Sequence, residues 1–233
     1  MSAKYTVTAI LALTLSNHAI AEQALDDFRD TRNNSEWRLA KSDARHKIKV
    51  YVKNEEGQRI RSFRVEATLD TNIDTLARIQ SDVENYSRWY FSTLETKLLQ
   101  KLSDKEFIFY MVHDAPYGTP DRDVIMKAVI EPMTSKRPYV QIRMNALPNY
   151  LPAKPPYVRM EAENYVARWT PINDNQVLLE AEGFINPGGN APSWAVNFVQ
   201  GKGPYANMMG LRRMITLPQY NTNTTPISYT FTE

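Results

Sequence analysis

Ile185-Asn186-Pro187-Gly188-Gly189, followed two residues later by Pro192-Ser193-Trp194-Ala195-Val196-Asn197, decides how this chain folds. The first part ends an apolar strand pattern. Its Pro-Gly-Gly turn halts the strand because glycine reaches backbone angles closed to other residues. Proline then suits the first turn of a helix, where its missing N–H forfeits no bond. The apolar segment runs on to about Leu217, so the pattern predicts a long helix delivered at a fixed angle from the end of a sheet. Such a helix suits a lid over a concave sheet, with an apolar cavity beneath it.

Working outward, Ser62–Leu69 alternates Phe63, Val65, Ala67 and Leu69 against Ser62, Arg64, Glu66 and Thr68, the period of a half-buried antiparallel strand. Trp37–Lys41 and Ile48–Lys53 read as strands before it, and residues 22–35 as a short leading helix. Thr71-Asn72-Ile73-Asp74 has the spacing of a helix start. Ile73, Leu76, Ala77, Gln80 and Val83 continue at helical spacing into the aromatic group Tyr86, Trp89, Tyr90 and Phe91. From 92 to 186 the chain is mostly strand, with apolar runs at 107–113, 124–130, 140–144, 158–169 and 177–185 separated by proline-rich breaks. Segregated helices and consecutive strands give an α+β fold on an antiparallel sheet.

The first 21 residues have the layout of a cleaved signal peptide: Lys4, the uncharged apolar run Tyr5–Leu15, and Ala19-Ile20-Ala21 before Glu22. The run is about half of the roughly 20 residues a membrane span needs. The expectation is a periplasmic protein, with secretion beyond the cell as second choice. The chain has no cysteine, so no disulfides, thiolate metal sites or cysteine nucleophiles are available. A formal charge of +2 gives no case for nucleic acid. Domain boundaries are read as 1–21 signal peptide, 22–217 folded domain, and 218–233 a loosely held polar tail.

Enzyme signatures are sparse. His46 and His113 are the histidines left after signal removal, and no H-E-x-x-H, G-x-S-x-G or P-loop pattern occurs. No cofactor or metal is expected. Gly201-Lys202-Gly203-Pro204 lacks the full phosphate-binding pattern and reads as a helix kink or break. In His113-Asp114 the neighbours point to opposite strand faces, which favours a hydrogen-bonded strand-end histidine over a catalytic pair. Asp121-Arg122-Asp123 reads as an arginine fork bonded to carboxylates or backbone carbonyls rather than an ion-binding cluster. Large soft side chains are in surplus. Trp89, Phe107, Phe109, Met111, Met126 and Met144 are candidate ligand contacts from the sheet side. Phe184, Trp194, Phe198, Tyr205 and Met208 are candidates from the last strand and the helix.

Several pieces, in order, resemble one family. Val112-His113-Asp114-Ala115-Pro116 through Asp121-Arg122-Asp123-Val124 is similar to a strand, proline-rich turn and R-D strand of START domains, the steroidogenic-acute-regulatory-related lipid-transfer family. Tyr157-Val158-Arg159-Met160 resembles its V-R strand, and Trp169-Thr170-Pro171 a shortened W-x-x-x-P region. Asn186-Pro187-Gly188-Gly189 resembles D-P-G-G with Asn for Asp. Pro192-x-Trp194-x-x-Asn197, Gly203-Pro204-Tyr205 and Leu211-Arg212 resemble the C-terminal helix.

The resemblance covers about residues 35–216. It implies a helix-grip fold, a curved antiparallel sheet around a long C-terminal helix, enclosing a hydrophobic tunnel for one lipid. The family's role is lipid binding and transfer, usually without catalysis, with transient membrane contact. Sterol-binding members carry a charged pair at positions that align with Phe109 and Ala128, both apolar here. An acyl-chain lipid is therefore at least as well suited as a sterol. The segment around Pro148–Pro156 and the C-terminal helix are the expected moving parts, with a hinge near Gly201-Lys202-Gly203. Two other readings stand beside the carrier: a cyclase or hydrolase of an apolar substrate, using His113, Arg159 or Glu161, and a ligand-responsive interaction module with an exposed apolar patch.

Overall fold

A computed structural model describes residues 37–55, 60–116 and 118–222. The readings for 1–21, 22–35 and 223–233 lie outside the described residues. Ten strands form one sheet: β1 (Arg38–Asp43), β2 (Ile48–Asn54), β3 (Arg61–Leu69), β4 (Thr93–Ser103), β5 (Glu106–His113), β6 (Arg122–Glu131), β7 (Val140–Ala146), β8 (Val158–Arg159), β9 (Ala162–Asn173) and β10 (Gln176–Asn186). The order across it is β1-β2-β3-β10-β9-β7-β6-β5-β4, antiparallel throughout that path. The two-residue β8 pairs with β6 in parallel. The run 158–169 is thus two strands, divided at Met160 and Glu161.

Strand β4 is the element the sequence pattern does not announce. Its register shifts between Thr93 and Glu95, between Leu98 and Gln100, and between Lys101 and Ser103. Each shift breaks the period of two, so no alternation survives in the sequence. As an edge strand it also keeps most of its side chains in solvent, with lysines along it.

Helix α1 (Ile73–Ser81) starts at Asn72, whose Oδ1 accepts from the Thr75 amide at 2.9 Å. A 3-10 segment, Val83–Arg88, follows and delivers Tyr86 and Trp89 to the core. The Tyr86 ring meets Trp89 and Phe109 edge-on, with centroids 5.2 and 5.4 Å apart. Helix α2 (Ser193–Met214) spans 22 residues without interruption, carrying Pro204 inside it rather than breaking there. It ends three residues short of Leu217, and a turn leads into α3 (Pro218–Asn221). The start of the expected polar tail is therefore helical, with Tyr220 buried.

The turn before α2 takes the expected form. Gly188 and Gly189 have φ of +65° and +57°, angles that disfavour a side chain. α2 packs across β2, β3 and β10. One apolar cluster joins Met208, Leu211 and Met214 of α2 to Val65 of β3, Met111 of β5, Met144 of β7 and Leu179 of β10. A smaller cluster of Ile108, Tyr110, Val112 and Ile125 lies on the opposite face of β5 and β6.

Candidate functional site

Where the inward-facing side chains are small, the space under α2 stays open. A partly open cavity of about 160 Å³ is floored by Ala167 of β9 and Ala181 of β10, which pair directly across the two strands. Val65 and Leu179 extend the floor, and Ala195, Val196, Val199, Gly203 and Met208 of α2 form the roof.

The large soft residues mostly lie elsewhere. Trp89 and Met208 line the cavity. Phe107, Phe109, Met111, Met126 and Met144 do not: they are at most 5 % exposed and fill the solid core beside it. Bulk is what closes a cavity, so these residues mark where it ends. Phe184 sits among the odd-numbered inward positions of β10 and, by the period of two, takes the opposite face. Trp194 and Phe198 are 61 % and 43 % exposed, one turn apart on a face of α2 that Ala195, Val196 and Val199 do not share. Tyr205 turns to the sheet edge. Its hydroxyl donates to Asp43 Oδ2 at 2.7 Å, and the Lys41 ammonium lies 3.3 Å from its ring centroid.

One end of the cavity wall is polar. His113 closes β5, Glu163 opens β9, and their side chains meet with Nε2 3.1 Å from Oε2. Facing a carboxylate, that nitrogen is the donor. Glu163 is 1 % exposed, and its Oε1 accepts from the Tyr90 hydroxyl at 2.7 Å. The hydroxyls of Tyr90 and Tyr165 are 3.4 Å apart. Burial pushes the His113 imidazole down, but the charge of Glu163 and the hydrogen bond to it prevail, so His113 titrates above its ordinary 6.5. Burial, followed by the charge of Glu163, pushes the Tyr90 phenol well above its usual range.

Arg122 starts β6 directly opposite His113 and also lines the cavity. Its Nη1 donates to the Pro120 carbonyl, while its Nε has no acceptor among the described residues. Burial pulls its pKa down, opposed by the nearby charge of Asp121. Arg122 thus bonds a backbone carbonyl at a strand start, as the sequence reading expects, while the two-point fork onto a carboxylate is made by Arg159. Arg159 holds the fully buried Asp123 through Nε and Nη2 at 3.0 and 2.9 Å. It also donates to the carbonyls of Pro148, Leu151 and Pro152, which ties down part of the loop expected to move.

The fold and its lidded cavity can be set beside known structures. A STAR-related lipid transfer protein fragment from Xanthomonas axonopodis is 28% identical, and the match covers 78% of this chain and 100% of that one with a TM-score of 0.71. The fold is that of the START domains. Human STARD10 is 22% identical over 86% of this chain and 82% of its own, with a TM-score of 0.70. Human StAR-related lipid transfer protein 5 shares 11% identity but the same START fold, covering 90% of this chain and 99% of its own at a TM-score of 0.71. No family model matches the chain. An uncharacterized protein of Pseudomonas aeruginosa is 24% identical over 90% of this chain and 95% of its own length.

Phe109 and Ala128, the positions the resemblance sets against a sterol-binding charged pair, are 1 % and 0 % exposed and do not line the cavity. Of the three enzyme candidates, His113 reaches the cavity. Arg159 is committed to Asp123 and the loop carbonyls, and Glu161 accepts from Asn186 Nδ2 at 2.7 Å. Two carboxylate residues line the cavity, the exposed Asp114 and the buried Glu163, and the sequence reading does not include Glu163 among its candidates. Counting back by twos from Trp169 and Ala167 through Tyr165 would have placed it inward.

Proposed function

We propose that the protein binds one lipid or similar apolar amphiphile beneath α2 and carries it between membranes or partners without chemical change. The observation that carries this reading is the cavity itself: an apolar space floored by paired alanines and roofed by a helix, in a fold shared with lipid-transfer proteins. Burying a CH₂ is worth about 0.8 kcal/mol, so a chain of about 16 carbons gains roughly 12 kcal/mol. Leaving a bilayer forfeits a similar sum, so a carrier must offer an equally dry site and must open to load. Phe109 and Ala128 offer no polar group to a sterol hydroxyl, so an acyl chain suits the site at least as well as a sterol.

The same reading includes export, with residues 1–21 removed, and transient membrane contact during loading. It is supported by Lys4, the apolar run and the small-residue site before Glu22. Narrowing the cavity tests the binding. Ala181→Leu combined with Ala195→Phe fills floor and roof, and uptake of a radiolabelled fatty acid or phospholipid from vesicles is expected to fall at least tenfold while the protein stays folded. Undiminished uptake would place the ligand elsewhere.

The His113–Glu163 pair favours one alternative, an enzyme of the cyclase or hydrolase type that uses the pair for proton transfer on an apolar substrate. Extracted ligand that changes mass on incubation with the protein would support it over carriage.

A further inference from the structure

Arg122 is the one buried arginine among the described residues, and it stands on the cavity wall, whereas several half-buried arginines hold a carboxylate. Arg159 has Asp123, Arg143 has Glu131, and Arg64 has Glu182, each within 2.9 Å. Arg122 is 7 % exposed, and no carboxylate lies within salt-bridge distance of it among the described residues. The nearby acids are engaged or in solvent. Glu163 serves His113 and Tyr90, Asp121 Oδ1 accepts from the Ala115 amide at 3.0 Å, and Asp114, which also lines the cavity, is exposed and forms no salt bridge with Arg122. A buried guanidinium with no anion in contact, only the more distant charge of Asp121, is costly, and its Nε–H without an acceptor adds to that cost.

We propose that Arg122 is a headgroup anchor: it receives the anionic oxygens, carboxylate or phosphate, of an amphiphile whose tail lies in the cavity. The assignment rests on the carrier reading and adds the ligand's charge to it. An anion supplies what the site lacks, since two oxygens can take Nε–H and a second guanidinium N–H side by side. His113, cross-strand from Arg122 and donating to Glu163, keeps that carboxylate occupied and so unavailable to Arg122. Trp89, also on the wall, carries a second buried donor with no acceptor, its Nε1. Both unmet groups are donors. A neutral hydroxyl would satisfy one bond and leave the charge unbalanced.

Three ligands of nearly equal tail length separate the terms: sodium palmitate, hexadecyl phosphate and hexadecanol, titrated calorimetrically into delipidated protein. At least one anion is expected to bind about tenfold or more tighter than the alcohol, the scale of a hydrogen bond to a charged group. The ranking of the two anions tells carboxylate from phosphate. Arg122→Gln is expected to abolish the gap by weakening the anions far more than hexadecanol, and Arg122→Lys to restore part of it. A merely structural arginine would lower stability without altering the ranking. The assignment is overturned if the unaltered protein binds hexadecanol as tightly as both anions, a comparison that needs no variant to fold, or if Arg122→Gln keeps the gap. If none of the three binds the unaltered protein, the carrier reading falls as well.

Discussion

His113 is the residue whose chemistry depends most on its surroundings. Its imidazole is 15 % exposed and pairs with a carboxylate that is 2 % exposed, while Tyr90, Tyr165, Thr93 and Arg122 lie around it. Because the Glu163 partner raises the folded pKa, protonation of His113 stabilises the native state. That contribution is complete below the ordinary 6.5 and is lost as pH rises through the higher folded value. His113→Asn is therefore expected to lose stability most at the acidic end of a window from about pH 5 to pH 8, by roughly 1.5–3 kcal/mol, and least at the alkaline end. Chemical denaturation across the window measures this, and a deficit that grows with pH would oppose it. The sequence reading identified His113 as a hydrogen-bonded strand-end residue. Its partner was not legible, because Glu163 is 50 positions away and only the pairing of the strands brings the two together.

At the scale of elements, α2 combines a close approach with a loose stretch. A Cβ built on Gly210 would lie 2.3 Å from the Trp89 carbonyl oxygen, so the glycine is what lets the helix seat against the aromatic corner. Gly210→Ala is expected to cost about 1–3 kcal/mol in thermal or chemical denaturation, since the obstacle is backbone. Gly201, by contrast, has nothing within 4 Å of such a Cβ. Gly201→Ala should stabilise the helix by about 0.5–1 kcal/mol. If α2 opens by bending at Gly201-Lys202-Gly203, lipid exchange should slow in the same variant, and an unchanged exchange rate would remove the hinge from that position. The helix and its Pro-Gly-Gly entry were legible because turn chemistry is local. Which face of α2 points inward was not. Trp194 and Phe198 looked like cavity contacts by composition, yet the inward positions are taken by Ala195, Val196 and Val199. Strand β4 escaped for a related reason, since its bulges erase the alternation that identifies a strand.

For the whole molecule, order and spacing of motifs were enough to place the fold, whereas the cavity followed a rule that composition does not display. Phe109, Met126 and Met144 fill the core, while the cavity opens over the small pair Ala167 and Ala181 and takes other large side chains, Phe63, Trp89 and Trp169 among them, into its walls. Volume left empty by small residues is a property of their register across β9 and β10, so it emerges only when those strands are paired. No helix among the described residues is long and apolar enough to cross a membrane. Native mass spectrometry of the protein purified without detergent, followed by lipid extraction, tests the carrier role most directly. The expected result is a chain beginning at Glu22 that carries one amphiphile, released on unfolding and regained from vesicles. A bare chain that takes up no lipid from vesicles would contradict it.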